Sequence, residues 1–411
     1  MTAARAPHAH RGSQPDATGV VAFPARPDGG GGLGHFSAEA LAAVAPAAAR
    51  IFAFGPPPDG SVPDSVTLEA PPLPLARWRR QYTWRRYLHG RYQHETDTRF
   101  GTWLAARVSR VHVDRAYLFT QIARESLMAL RDRGVPTILD NPNGHIAHYR
   151  TAVRRECERW VKWPYWGHPC AATVARVENE YSLATIIRVA SPWARQELVT
   201  RGVPAEKVVV VPPVIDIDRF RPASAERALE GPLRLVFVGS VSLGKGFAYL
   251  LTAMHRLGAS RVRLEVVGAT GDPWSRRLFE TLARGLQVHV APGDPRPAYA
   301  RAEALVLPTV HDGFGLVVGE AMACGLPVVT TDQCGASDWV EPGTTGAVVP
   351  AGDQDALTDT LAELLRRRRD LAEQGRAARV AVVRRVQSRP TLADFVVECW
   401  RGTPHESSAR R

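Results

Sequence analysis

The chain contains very little lysine, and this limits which residues can serve a lysine-dependent motif. Only Lys162, Lys207 and Lys245 are present, although lysine and arginine together number 52 among 411 residues. Arginine therefore supplies most of the net charge of +11. The charge suggests an anionic partner without choosing among nucleic acid, a membrane face and phosphorylated substrates. Drift in base composition explains the arginine excess equally well.

Cysteine is also scarce, and its spacing excludes the common zinc motifs. The five cysteines form an odd set without a CxxC pair, which favours a reducing compartment. His168 and Cys170, with Cys157 upstream, give at most part of a metal site, because no fourth ligand is evident. We therefore expect no metal ion. The cysteines are Cys157, Cys170, Cys324, Cys334 and Cys399.

Long apolar runs are missing as well. No stretch approaches the roughly 20 apolar residues that cross a bilayer, and the N-terminal segment lacks the apolar core of a signal peptide. We expect a cytoplasmic protein with polar, disordered ends, including residues 1–17. The arginine- and aromatic-rich region 76–115 is typical of a helix whose aromatics pack inward. It leaves open a peripheral association with the inner face of the membrane.

Short apolar runs alternate with helical segments along most of the chain, a pattern that indicates parallel-sheet α/β domains. A polar, proline-punctuated segment, VIDIDRFRPASAERALEGP, interrupts the alternation and predicts an interdomain linker. We predict one domain over 18–220, a second over 221–385, and a returning helix and tail over 386–411. Such sheets bind ligands at the carboxyl ends of their strands, so two of them would form a cleft.

Two carboxylates flank a glycine-rich turn in HDGFGLVVGEAMACGLP, residues 311–327. Asp312 lies on the loop, and Glu320 lies on a predicted helix, with seven residues between the two acids. Gly313 and Gly315 have no Cβ, so the backbone there can approach a ligand closely. Amides at the helix start offer donors to an anion. The two acids can therefore contact different parts of one elongated ligand.

This stretch resembles the E-x7-E signature of retaining glycosyltransferases of the GT-B fold, in particular glycosyltransferase family 4. The resemblance implies two Rossmann-like domains facing each other across a cleft. It also implies that Asp312 and the amides of Phe314 and Gly315 hold donor-sugar hydroxyls, while Glu320 accepts hydrogen bonds from the nucleotide ribose. Asp312 is one methylene shorter than the usual glutamate, so either the loop moves inward or the donor contact differs.

A second segment, VFVGSVSLGKGFAYLLTA, resembles the strand, glycine, basic loop and helix of the same family. The resemblance places Gly239 and Ser240 in the donor loop and Lys245 on the donor diphosphate. Charge and helix dipole would together stabilise the departing nucleotide. Many relatives have an arginine where this chain has Ser240. Neutralisation of the diphosphate charge therefore depends more on Lys245. The alternative for Lys245 is an exposed surface lysine.

The N-terminal half carries weaker candidates. Gly31 and Gly32 in GGGGLGHF match the glycine pair whose backbone borders the diphosphate and sugar in this family. His145 follows a predicted strand, and the resemblance suggests a contact near the reacting sugar; a plain loop histidine is the alternative. His35 is a weaker candidate of the same kind. Asp216–Asp218 imitates the metal-binding DxD motif but falls in the predicted linker.

The resemblance implies a retaining, metal-independent glycosyltransferase that moves a sugar from a nucleotide-diphosphate sugar, with UDP favoured, to a hydroxyl acceptor. The acceptor would be a glycan, a lipid-linked molecule or a small molecule. Asp312, Lys245 and His145 are the candidate catalytic residues, with no cofactor, metal or nucleic acid expected. The alternatives are a GT-B phosphorylase, a nucleotide-sugar epimerase, and a non-catalytic protein that binds nucleotide sugars or a membrane surface.

Overall fold

The computed structural model describes residues 18–25, 31–56, 64–71, 89–161, 168–223, 230–269 and 271–401. These residues form two parallel sheets flanked by helices. The predicted tails at 1–17 and 402–411, and the first part of the basic aromatic region, lie outside the described residues. The remainder of that region includes a helix, as its composition predicted.

The first sheet has seven strands in the order β3-β2-β1-β4-β5-β6-β7. Its strands are β1 Thr18–Ala22, β2 Arg50–Phe54, β3 Val66–Glu69, β4 Arg115–Phe119, β5 Thr137–Asn141, β6 Ile186–Val189 and β7 Val208–Val210. Its helices are α1 Gly32–Val44, α2 His89–Val108, α3 Arg124–Asp132, α4 Ile146–Trp160, α5 Ala171–Leu183 and α6 Pro192–Val199. Strands β1, β4, β5 and β6 are almost wholly buried, which matches their continuous apolar runs.

The second sheet has six strands in the order β10-β9-β8-β11-β12-β13. Its strands are β8 Leu233–Val238, β9 Val262–Val267, β10 Gln287–Ala291, β11 Ala304–Leu307, β12 Val328–Thr331 and β13 Gly346–Val349. The helices are α7 Phe247–Leu257, α8 Pro273–Leu282, α9 Arg296–Arg301, α10 Leu316–Ala323, α11 Gln354–Arg366, α12 Leu371–Gln387 and α13 Leu392–Arg401.

Both sheets confirm the predicted α/β architecture of two Rossmann-like units. In the first sheet, strands β1 to β3 extend toward one edge and strands β4 to β7 toward the other, so the topological switch lies between β1 and β4. In the second sheet, the corresponding switch lies between β8 and β11. Loops at such switch points form ligand crevices. The candidate residues Gly31, Ser240 and Asp312 follow β1, β8 and β11, respectively. None of the helices in the described ranges is long and apolar enough to span a bilayer.

Helix α13 returns from the second sheet to the first. It packs against α1, and the Trp400 ring lies directly over the backbone of Gly19 in β1. A Cβ on Gly19 would lie 2.8 Å from the Trp400 ring, so only glycine admits this contact. The last described helix therefore covers part of the first domain.

A buried ion pair joins β5 to β6 at the carboxyl end of the first sheet. Arg188 and Asp140 face each other in register, and both side chains are wholly inaccessible to solvent. Arg188 Nη1 lies 3.1 Å from Asp140 Oδ1, and its Nε donates to the Val211 carbonyl at 2.8 Å. Tyr117 also donates to Asp140, at 2.5 Å. Arg188 thus anchors the backbone that leaves β7 toward the second domain.

Removing Arg188 should destabilise the protein strongly, because Asp140 would remain as an uncompensated buried charge. We expect Arg188→Met to lower the free energy of unfolding by about 3–5 kcal/mol, measured by urea denaturation. The double variant Arg188→Met with Asp140→Leu should lose less than Arg188→Met alone. Arg256→Met, which removes an exposed ion pair with Asp355, is the control and should change stability by less than about 0.5 kcal/mol.

Candidate functional site

The acidic loop between β11 and α10 is held by backbone hydrogen bonds to the loop after β12. The Asp312 amide donates to the Gln333 carbonyl at 2.9 Å, and the Gly335 amide donates to the Asp312 carbonyl at 2.8 Å. Asp312 is consequently fixed at the carboxyl end of the second sheet, with 9% of its surface exposed. Phe314 is buried, and its ring packs edge-on against Trp339 at 5.0 Å.

Glycine is required at two positions of this loop for different structural reasons. Gly315 has a φ of 85° where α10 begins, a conformation that other residues rarely adopt. Gly313 instead packs against the first domain, since a Cβ on it would lie 2.0 Å from the Pro142 carbonyl oxygen. Among the described residues, no acceptor binds the amide of Phe314 or Gly315. Two backbone donors are therefore available at the head of α10.

Lys245 and Asp312, which are far apart in sequence, form an ion pair in the structure. Lys245 Nζ donates a hydrogen bond to Asp312 Oδ2. Burial lowers the pKa of Lys245, but the adjacent Asp312 carboxylate outweighs burial, so the net pKa lies above the usual value. The lysine is therefore charged at neutral pH. An exposed surface lysine, the alternative weighed from sequence, does not describe this contact.

Gly246 explains how Lys245 reaches this position. It adopts a φ of 72° between a short 3-10 turn, Leu243–Lys245, and the start of α7. A Cβ at Gly246 would lie 1.8 Å from the Pro308 carbonyl oxygen, so the basic loop sits tightly on the end of β11. The starts of α7 and α10 therefore flank one charged pair.

Glu320 lies on α10, as predicted, beside a tyrosine that sequence reasoning did not single out. Tyr299 of α9 donates to Glu320 Oε2 at 3.0 Å. Burial raises the pKa of Glu320 to about 7, against the lowering effects of the Tyr299 hydrogen bond and of Arg219. The carboxyl group is therefore poised between its two protonation states near neutral pH.

The loop that contains the candidate residues Gly239 and Ser240 follows β8. Gly239 has a φ of 136°, and the backbone of Gly268 approaches its carbonyl so closely that a Cβ on Gly268 would lie 2.1 Å away. Ser240 is exposed, and its hydroxyl lies 3.5 Å from that of Ser242. Ser240 thus adds a hydroxyl to this loop where an arginine would add charge.

The N-terminal glycine pair lies near the acidic loop. Gly31 has a φ of 77° and precedes α1, while a Cβ on Gly32 would lie 3.8 Å from the Leu316 side chain. The structure therefore brings Gly32 close to the first residue of α10. His35 is half-buried on α1.

His145 occupies a structural position that the sequence did not indicate. Its Nδ1 accepts a hydrogen bond from the Ala147 amide at 3.2 Å, which caps α4. The ring is 3% exposed and packs on Tyr181, with centroids 5.3 Å apart. Burial, together with the charge of Arg201, lowers the pKa of His145 to about 4, so the ring is neutral. Its predicted contact with substrate stays a prediction.

The predicted linker forms a capped turn at Asp216. Its carboxylate accepts from the amides of Asp218 and Arg219 at 3.1 and 2.8 Å. This hydrogen bonding gives the first acid of the DID sequence a local structural role.

Three residues that sequence reasoning missed lie beside the acidic loop. His311 directly precedes Asp312, while His148 and Glu197 come from α4 and α6 of the first domain. His148 Nδ1 lies 2.5 Å from Glu197 Oε2, and the His148 and His311 rings are 5.1 Å apart. No local motif indicates this group, because its members come from three separate segments.

Comparison with known proteins gives a family match within the second domain. Residues 232–367 match the family described as Glycosyl transferases group 1. A D-inositol 3-phosphate glycosyltransferase from Xylanimonas cellulosilytica is 35% identical over 235 residues, covering 52% of this chain and 55% of that relative. This chain thus spans about half the length of that relative.

Two further matches cover more of the molecule. A GDP-mannose-dependent alpha-(1-6)-phosphatidylinositol monomannoside mannosyltransferase from Mycolicibacterium smegmatis is 30% identical over 273 residues, 59% of this chain and 68% of the relative. A sucrose-phosphate synthase from Thermosynechococcus elongatus has a TM-score of 0.69 at 19% identity, covering 93% of this chain and 98% of that chain. At that identity the structural likeness shows the fold alone. With the two-sheet architecture, these matches show that the chain belongs to the glycosyl transferases group 1 family and has the GT-B fold.

Proposed function

We propose that the protein transfers a sugar from a nucleotide-diphosphate sugar to a hydroxyl acceptor, with retention of the anomeric configuration. The observation that carries this proposal is the Lys245–Asp312 pair between the starts of α7 and α10. A lysine and two helix starts favour a diphosphate, while a carboxylate and two available amides suit sugar hydroxyls. Cationic and dipolar groups then lie where a departing diphosphate develops charge.

The pair also suggests how the donor would engage the site. A donor diphosphate would compete with Asp312 for the Lys245 ammonium, and the displaced carboxylate could accept a hydrogen bond from a sugar hydroxyl. Glu320, on the same helix, is placed for a second contact at the ribose. We propose no metal ion at the diphosphate, because Lys245 and the helix starts supply the positive charge.

In the proposed reaction, the acceptor oxygen forms a bond to the anomeric carbon as the bond from that carbon to the diphosphate oxygen breaks. The departing diphosphate takes up the acceptor proton, so no protein nucleophile is required. The resemblance to retaining family members supports this front-face course. We still propose that His145 contacts the sugar, through any part of its ring that a substrate can reach.

The donor base and the acceptor follow from resemblance rather than from named contacts. UDP is our first choice, and GDP is the alternative, because one relative is named as GDP-mannose-dependent. Two relatives are named for phosphorylated inositol compounds, and the net charge of +11 suits a phosphorylated acceptor. We infer a cytoplasmic site of action with peripheral association at the membrane's inner face.

A panel of UDP- and GDP-sugars should identify the donor. We expect at least one of them to raise the melting temperature, because a ligand that binds only the folded state stabilises it. Transfer to inositol phosphates, with the product examined by NMR, should give the same anomeric configuration as the donor. Added Mg²⁺ should leave the rate unchanged. An inverted product would contradict retention, and no stabilisation by any donor would contradict the donor site.

The same panel separates the alternative functions. An epimerase would convert the nucleotide sugar without an acceptor, and a phosphorylase would require inorganic phosphate. A non-catalytic binding protein would show stabilisation without turnover.

The raised pKa of Glu320 predicts a pH-dependent donor affinity. A carboxylate that accepts ribose hydrogen bonds must be ionised, so UDP-sugar affinity should rise up to about tenfold per pH unit below 7 and level off above it. Calorimetry in buffers of different ionisation enthalpy should show proton release on binding near pH 6.5. Because the folded pKa is raised, the stability that Glu320 contributes is present at low pH and is lost as pH rises through about 7.

Glu320→Gln should flatten this affinity profile and weaken binding. Glu373→Gln, an exposed substitution on α12, is the matched control and should keep the wild-type profile. If Glu320→Gln retains both the affinity and its pH dependence, the ribose assignment is wrong.

Lys245 and Ser240 should be interdependent. Lys245→Met removes a charged donor aimed at the leaving group and should lower kcat by roughly 100- to 1,000-fold. Adding Ser240→Arg should restore at least about tenfold of that loss, because it returns one positive charge to the same loop. Lys207→Met is the matched control, since Lys207 binds backbone carbonyls of the first domain; its kcat should be unchanged. Absence of rescue would place Ser240 away from the diphosphate.

A further inference from the structure

A candidate metal site lies between the two domains. It is formed by His148, Glu197 and His311, which we name the interdomain triad. Each residue offers one ligand atom, and the three atoms lie within 4.8 Å of one another. No other such group of three occurs within the ranges that the structure describes. Two of the ligands belong to the first domain, and the third belongs to the acidic loop of the second.

His311 carries the strongest indication of a ligand. The residue is 4% exposed, and neither of its ring nitrogens has a hydrogen-bond partner among the described residues. Trp193 packs edge-on against the ring at 4.9 Å, and Tyr149 lies 5.2 Å away, so apolar faces surround it. Buried polar atoms in folded proteins nearly always have a partner. An ion bound between the three side chains would give one of the two His311 nitrogens a partner.

The chemistry of the three ligands selects the class of ion. Two imidazole nitrogens and one carboxylate oxygen form a common protein ligand set for zinc, in which a water completes the coordination. Magnesium and calcium prefer oxygen ligands, so they fit this set poorly. In tetrahedral zinc sites the ligand atoms lie roughly 3.4 Å apart. Small side-chain rotations would bring the triad to that spacing.

We propose that the interdomain triad binds a divalent transition-metal ion, with zinc as the preferred ion. The side chains of His148 and Glu197 are 22% and 16% exposed, which provides an entry path from solvent. Arg201, whose Nη1 lies 3.0 Å from Glu197 Oε2, is the neighbouring cation that would release or exchange that oxygen.

A metal here would connect the two domains. It would tie the residue before Asp312 to α4 and α6, and so hold the acidic loop against the first sheet. Its role would be positional and distinct from the donor diphosphate, where Lys245 supplies the charge. Metal binding at the interdomain triad would be independent of transferase activity.

Metal binding can be measured without any assay of turnover. Chelator-treated protein titrated with ZnCl₂ should bind one ion per chain with a micromolar or tighter dissociation constant and melt at a higher temperature. Substitution with Co²⁺ should give visible absorption bands of a low-symmetry site and no thiolate charge-transfer band. MgCl₂ at the same concentration should have no effect.

Two variants and a control test the assignment. His311→Phe keeps an aromatic ring in the Trp193 and Tyr149 surroundings but removes both nitrogens, and should weaken zinc binding by at least about 100-fold. Glu197→Gln should weaken it by at least about tenfold. His112→Asn removes an exposed His–Asp pair and should leave stoichiometry and affinity unchanged. Wild-type affinity in His311→Phe, a thiolate band, or no binding by the wild-type protein would overturn the proposal.

Discussion

The close contact of the Gly313 backbone with the first domain is the constraint on which the rest of the site depends. The Ser191 hydroxyl donates to the Gly313 carbonyl at 2.7 Å, and a Cβ on Gly335 would lie 2.0 Å from the same oxygen. On the other side, the Pro142 carbonyl occupies the space of a side chain at residue 313. Any larger residue at position 313 would force one of these backbones to shift, and Asp312 is adjacent to that residue. The alignment of the acidic loop with the first domain therefore rests on backbone fit as much as on charge.

The two domains each have an ion pair at the carboxyl ends of their strands, and the two pairs differ in solvent exposure. In the first domain, Arg188 and Asp140 are fully buried; the Val211 carbonyl accepts from Arg188, and Tyr117 donates to Asp140. Such a pair costs a great deal to separate, which suits a fixed scaffold. In the second domain, the Lys245 and Asp312 side chains keep 30% and 11% of their exposure. This pair can exchange partners, as a substrate site requires.

Sequence reasoning found the parts of the molecule that local patterns encode. The apolar runs of β1, β5, β8 and β11 became buried parallel strands because each run is long enough to fill a sheet interior. The same reasoning did not find β3, whose four residues are mostly uncovered at a sheet edge. It identified Asp312 and Lys245 separately but not their ion pair, because pairing depends on tertiary contact. For the same reason it missed His311 as a member of a group, since its neighbours come from α4 and α6.

The contact between Trp400 and Gly19 has a consequence for how the molecule is made. The first sheet and α1 are synthesised early, but the helix that covers them there is among the last described segments to leave the ribosome. Before α13 is synthesised, the surface of α1 and of Gly19 that α13 will contact lacks that contact. This surface stays without α13 while the whole second domain is synthesised. The first domain therefore reaches its full set of contacts only after the second domain has been synthesised, so the two halves complete their packing together.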